Sequence, residues 1–153
     1  MKKRFNLIHW LALGFGSGKS PIAPGTMGTL IAVPIYYGLS FLRLEYYTLV
    51  VLFLAAIGIF LCGKTAKDWG AHDHQSIVWD EIVGYLITMI ALPVQWSWML
   101  AGFCLFRFFD ILKPWPIRWA DRQVSGGLGI MLDDILAGIA SSLVLHGAWY
   151  LLG

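Results

Sequence analysis

The stretch RFFDILKPWPIRWADRQVSGGLGIMLDDILAG, Arg107 to Gly138, decides how the rest of the chain is read. It lies between two apolar segments. It holds Arg107, Asp110, Lys113, Arg118, Asp121, Arg122, Asp133 and Asp134, a large share of the charge in a chain with only 13% charged residues. Asp133 and Asp134 are adjacent and run straight into the apolar segment that begins at Ile135. A carboxylate pair at the mouth of a membrane helix is costly unless something positive sits against it. A divalent metal together with a phosphate is the simplest such partner.

Outward from this stretch the chain is apolar. Its 153 residues suit one domain, 1–153. Apolar residues make up 58%, against roughly 45–50% in soluble domains. Four windows lack any Asp, Glu, Lys or Arg: Ser20 to Leu42, Tyr46 to Gly63, Ile82 to Phe106 and Ile135 to Gly153. A bilayer span takes about 20 such residues. The pattern predicts an all-α protein, an integral membrane helical bundle with several short spans and a cytoplasm-facing polar site. A soluble, buried all-helical core is the competing reading. A net charge of +2 is too weak to argue for a nucleic-acid partner. Cys62 and Cys104 lie in apolar runs and read as small core hydrophobes.

Met1 to Arg4 are basic, which places the N-terminus in the cytoplasm under the positive-inside rule. The apolar run that follows is short and lacks a small-residue cleavage pattern, so it reads as a retained interfacial segment. Gly14 to Leu30, GFGSGKSPIAPGTMGTL, is dense in helix breakers. A Gly-rich loop with a Lys can wrap a phosphate, but the glycine spacing does not match a P-loop. Spans are expected at Leu30 to Leu42, Tyr46 to Cys62, Ile82 to Leu92, Trp98 to Phe109 and Ile135 to Leu152, with Pro34 as a kink. Alternating these crossings leaves only Arg43 and Glu45 on the far side. Positive-inside accounts for the basic residues at the near face but not for the carboxylates. Carboxylates gathered on one side point to a site.

Asp80 and Glu81 open one predicted helix, and Asp133 and Asp134 open another. Capping and the helix dipole are the ordinary reasons for acids there. Two acidic pairs entering apolar helices on the same side make capping alone insufficient. Hard oxygen ligands suit Mg²⁺, which keeps waters and bridges to substrate phosphate. Asp110 ends a helix, an unfavourable place for an anion. Lys113 follows on the same face, where a plain ion pair is its ordinary role. His72, Asp73 and His74 are too few for a transition-metal site, and Asp73 is better read as a further member of the carboxylate cluster. Trp69, Trp79, Trp96, Trp98, Trp115 and Trp119 fall near segment ends, as an interfacial aromatic belt would. No Cys-x5-Arg, Asp-x-Asp or Ser-Gly-His pattern occurs. Phosphate chemistry here is therefore expected to be metal- and carboxylate-based.

Three blocks carry a resemblance: SPIAPGTMGTL at Ser20 to Leu30, IVWDEIVG at Ile77 to Gly84, and FRFFDILKPWPI with GGLGIMLDDILAG at Phe106 to Ile117 and Gly126 to Gly138. In combination they resemble the phosphatidylglycerophosphatase A family of bacterial membrane lipid phosphatases. Thr29 stands where that pattern has Ser, and a hydroxyl is kept. The resemblance implies Mg²⁺-dependent hydrolysis of phosphatidylglycerophosphate to phosphatidylglycerol and phosphate, in phospholipid synthesis at the bacterial inner membrane. Asp80, Glu81, Asp133 and Asp134 are then expected to hold Mg²⁺, with Asp73 as a further candidate ligand. Asp110 or Asp73 completes the shell or activates water. Lys19, Ser20, Thr26, Arg107 and Lys113 are the candidates for the substrate phosphate. The partner is a membrane phospholipid. The alternatives are a small membrane transporter or channel using the carboxylate cluster, and a phosphatase for another lipid phosphate.

Overall fold

Pro24 starts the first long helix because a proline at that position gives up no intrahelical hydrogen bond. Ala23 before it turns the chain with φ 46°. In the computed structural model, which describes residues 7–70 and 76–152, the helices are α1 (Leu7–Ala12), α2 (Pro24–Leu39), α3 (Leu44–Trp69), α4 (Trp79–Thr88), α5 (Trp96–Leu112), α6 (Ile117–Gln123) and α7 (Gly126–Leu152). A 3₁₀ turn, Ser17–Lys19, lies between α1 and α2. No strand occurs among the described residues, and the fold is all-α. Asp73 and its flanking histidines lie outside the described residues, as do Met1 to Arg4.

Several expected boundaries move. α2 begins at Pro24 rather than Leu30, and α4 ends at Thr88 rather than Leu92. α3 does not stop at Cys62. It runs on through Lys64, Lys67 and Asp68 and is closed by Gly70 at φ 67°, a conformation glycine adopts without a Cβ penalty. The start of α7 moves further. Gly126, Gly127 and Gly129 open the helix instead of forming a loop before it, so Asp133 and Asp134 lie about two turns inside. The reason is a close crossing with α3. A Cβ on Gly127 would lie 1.9 Å from the carbonyl oxygen of Ile59 and 2.9 Å from the amide nitrogen of Gly63. Capping therefore does not explain the second acidic pair.

The ten-residue α4 is the hub. α4 packs against α7, α2, α3 and α5 and buries Ile82, Val83, Tyr85 and Leu86 completely or nearly so. It crosses α7 at paired glycines: a Cβ on Gly138 would lie 2.6 Å from the Gly84 carbonyl oxygen. On its other side Phe106 of α5 fills the space above Gly84. Trp79 belongs to this core rather than to an aromatic belt. It is 7% exposed, and its indole N–H donates to the Leu54 carbonyl at 3.0 Å.

The two ends of the bundle differ. At one end, α2 leads into α3 through an exposed Arg43–Glu45 pair at 3.2 Å. Nearby Tyr36, Tyr47 and Tyr85 pack edge-on, and the Tyr47 hydroxyl donates to the Leu86 carbonyl at 2.6 Å. The other end gathers the N-terminal turns of α2 and α4, the first turns of α7 and the C-terminal turns of α3 and α5. There α1 leans on α3, with His9 Nε2 at 3.0 Å from Asp68 Oδ2. α3 and α7 have 26 and 27 residues and are long and apolar enough to cross a membrane. Their outer faces show Leu49, Leu52, Phe53, Phe60, Leu143 and Leu151.

Candidate active site

Five carboxylates meet where α4, α5 and α7 converge. The first turn of α4 supplies Asp80 and Glu81. The last turn of α5 supplies Asp110, and α7 supplies Asp133 and Asp134. Asp80, Asp110, Asp133 and Asp134 are all buried, at 4%, 8%, 2% and 1% exposure. One oxygen each from Asp80, Asp133 and Asp134 lies within 4.8 Å of the others, and the same holds for Glu81, Asp110 and Asp134. Asp134 belongs to both groups. Adjacent residues on a helix point about 100° apart, which is how Asp133 and Asp134 face different neighbours from one turn.

Two cations line the same cluster. Arg107, one turn before Asp110 on α5, donates to Asp110 Oδ2 and lies 4.0 Å from Glu81 Oε1. Lys113 follows α5 with φ 49°, a left-handed turn that a side-chain-bearing residue adopts at some cost. Its ammonium donates to Asp133 Oδ2 at 2.6 Å and lies 3.7 Å from Asp110 Oδ1. Burial works to lower the Lys113 pKa, but Asp133 and Asp110 outweigh it and hold the ammonium above its ordinary value. Lys113 is therefore charged at neutral pH. Among the described residues, two cations face five carboxylates. Neither oxygen of buried Asp134 has a hydrogen-bond partner among the described residues. In its ionised form a carboxylate buried like this is strongly disfavoured unless a cation is supplied. Among the described residues the donors are all hard oxygen, the kind that suits Mg²⁺.

The N-terminus of α2 closes the site from above. A Cβ on Gly25 would lie 3.0 Å from Glu81 Oε1 and 3.1 Å from an Arg107 terminal nitrogen. Thr26, the next residue, is half-buried in that first turn. Thr29 lies deeper, its hydroxyl donating to the Gly25 carbonyl at 3.0 Å. Of the other candidates for phosphate, Lys19 is exposed at the end of the 3₁₀ turn, and the Ser20 hydroxyl is spent on the Ile22 carbonyl at 2.8 Å. The sequence reading missed Gly25 as the residue in contact with Glu81 and Arg107. The Pro-Gly pair at a helix start was its signal, since a side chain there would crowd the ends of Glu81 and Arg107.

A phosphatidylglycerophosphatase A family model matches residues 10–149. The chain belongs to the phosphatidylglycerophosphatase A family. Among its relatives, phosphatidylglycerophosphatase A of Escherichia coli K12 is 57% identical over 94% of this chain and 84% of that protein. The Haemophilus influenzae phosphatidylglycerophosphatase A is 48% identical over 95% of this chain and 90% of its own. A Bacteroides thetaiotaomicron protein that carries the provisional name phosphatidylinositol-3-phosphatase is 41% identical over the full length of both. No solved structure matches at a significant level. Membership in the phosphatidylglycerophosphatase A family makes the chain a phosphatase and its substrate a phospholipid.

Proposed function

We propose that the chain removes the terminal phosphate of phosphatidylglycerophosphate, giving phosphatidylglycerol and inorganic phosphate, with Mg²⁺ as cofactor. The observation that carries this reading is Asp134, buried without a donor at the point where two carboxylate groups overlap. Asp80, Asp133 and Asp134 would hold one ion, and Glu81, Asp110 and Asp134 a second. Mg²⁺ bound there would supply Lewis-acid polarisation of the phosphoryl oxygens and a more acidic water. Arg107 and Lys113 neutralise the remaining charge on the phosphate. The free amides of Gly25 and Thr26 at the start of α2 favour an anion at the same place. Asp110, fixed between Arg107 and Lys113, orients the attacking water. Water adds to phosphorus, the bond to the glycerol oxygen breaks, and that oxygen takes up a proton.

The same reading places the protein as a multi-pass protein of the bacterial inner membrane, with the carboxylate end facing the cytoplasm. Its support is the exposed apolar faces of α3 and α7 and the one-sided charge. Phosphate release from phosphatidylglycerophosphate by purified protein in detergent, with and without Mg²⁺, tests the reaction. Release that requires Mg²⁺ is expected. No release from a folded protein would rule the reaction out. Release from phosphatidylinositol 3-phosphate instead would move the reading to the chemistry named for the Bacteroides relative.

A further inference from the structure

Next to Lys113, whose ammonium reaches Asp133 and Asp110, lies a groove of about 490 Å³ lined by Lys113, Trp115, Arg118, Trp119 and Arg122. Its volume is within the range of about 300–1,000 Å³ seen for small-molecule sites. Nothing in the reaction proposed above uses it. α6 forms its wall and is two-sided. Ile117 and Ala120 are buried, and α6 packs on α7 through this face. Arg118, Trp119 and Arg122 turn outward and are exposed. Arg118 and Arg122 are four residues apart, so they sit side by side on one face of the helix. Neither forms an ion pair with a carboxylate among the described residues. The Arg118 guanidinium donates to the Leu112 carbonyl at 3.0 Å. Trp115 and Trp119 are 81% and 53% exposed, as suits indoles at the level of lipid headgroups.

We propose that this groove binds the internal phosphodiester of the lipid substrate, with Arg118 and Arg122 as its ligands. The inference rests on the reaction proposed above. That substrate carries two phosphates: a terminal monoester, which is cleaved, and a diester that joins glycerol to the diacyl part. With the monoester against Arg107 and Lys113, the diester lies one glycerol away, on the side where Lys113 meets the groove. Guanidinium groups suit a phosphate that offers two free oxygens. The indoles hold the neighbouring glycerol backbone at the membrane surface. The groove thereby favours a lipid with a second phosphate over one whose only phosphate is the monoester.

The same arginines could draw any anionic lipid headgroup, and the experiment separates these sources. Arg118→Gln/Arg122→Gln is compared with wild type in neutral detergent on phosphatidylglycerophosphate and on phosphatidic acid, which lacks the diester. Equal melting temperatures show that both proteins are folded. The expected result is a rise of about tenfold or more in KM for phosphatidylglycerophosphate, with kcat nearly kept and phosphatidic acid unaffected. The double Lys variant should restore part of the loss. An equal loss on both substrates would show general attraction of anionic lipid and overturn the proposal. So would no loss on either. Absence of release by the wild type itself would instead sink the parent reaction, and the groove's role with it.

Discussion

Asp134 carries more of the site than its neighbour because it joins both carboxylate groups. Asp133 already has the Lys113 ammonium at 2.6 Å, while Asp134 has no donor among the described residues. Removing Asp134 should therefore cost more than removing any other carboxylate here. Asp134→Ala is expected to lower kcat by about a thousandfold, or some 4 kcal/mol in the barrier, with the fold intact by circular dichroism. Turnover within tenfold of wild type would move the centre of the site toward Asp80 and Glu81. Lys113→Ala should raise KM and take the ammonium away from buried Asp133, which costs stability as well, up to about 3 kcal/mol. Melting in detergent checks it. The five carboxylates were all readable in the sequence as charged positions in an apolar chain. Which of them share a group was not, because that depends on how far inside α7 the Asp133–Asp134 pair lies.

At the scale of elements, glycines set how closely α4, α3 and α7 approach. Helix propensity alone says that glycine to alanine in a helix gains about 1 kcal/mol. Contact geometry reverses that sign at some positions and not at others. A Cβ at Gly138 meets the Gly84 backbone at 2.6 Å, whereas one at Gly147 on the same helix meets nothing within 4 Å. Gly138→Ala should destabilise by about 1–3 kcal/mol, and Gly147→Ala should stabilise by up to about 1 kcal/mol. Thermal unfolding of the two variants in one detergent tests both signs together. The same glycines explain where the sequence reading failed. Gly126, Gly127 and Gly129 look like helix breakers when read locally, and they become helix openers only because α3 passes against Gly127. Long-range packing decided that boundary, and no local pattern records it. By contrast, the proline inside α2 was legible, while the chain leaves α4 at Thr88, before the expected Leu92.

For the whole molecule, the candidate ions would tie together α4, α5 and α7, three helices far apart in sequence. Mg²⁺ should then act on stability as well as on rate. At a hundredfold excess over its Kd, the ion should add about 2.7 kcal/mol, seen as a higher melting temperature that a chelator reverses. Asp134→Ala should lose that response. A wild-type melting point indifferent to Mg²⁺ would count against the ion pair of sites. The bundle class and its one-sided charge were legible from the charge-free windows, since bilayer thickness sets their length. The windows did not show that the helices would differ so much in reach. α2 and α5, with 16 and 17 residues, extend about 24 and 26 Å, while α3 and α7 extend about 40 Å. A hydrocarbon layer about 30 Å thick is too tall for the first pair. If α2 and α5, which carry Gly25, Arg107 and Asp110, cross the bilayer in the multi-pass arrangement proposed above, the leaflet on their flank should thin. Headgroups there would then sink toward the carboxylates, and the substrate would react without being pulled out of the membrane. Turnover in vesicles should fall as the acyl chains of the host lipid lengthen at constant headgroup, and a flat response would show that the leaflet is not drawn down.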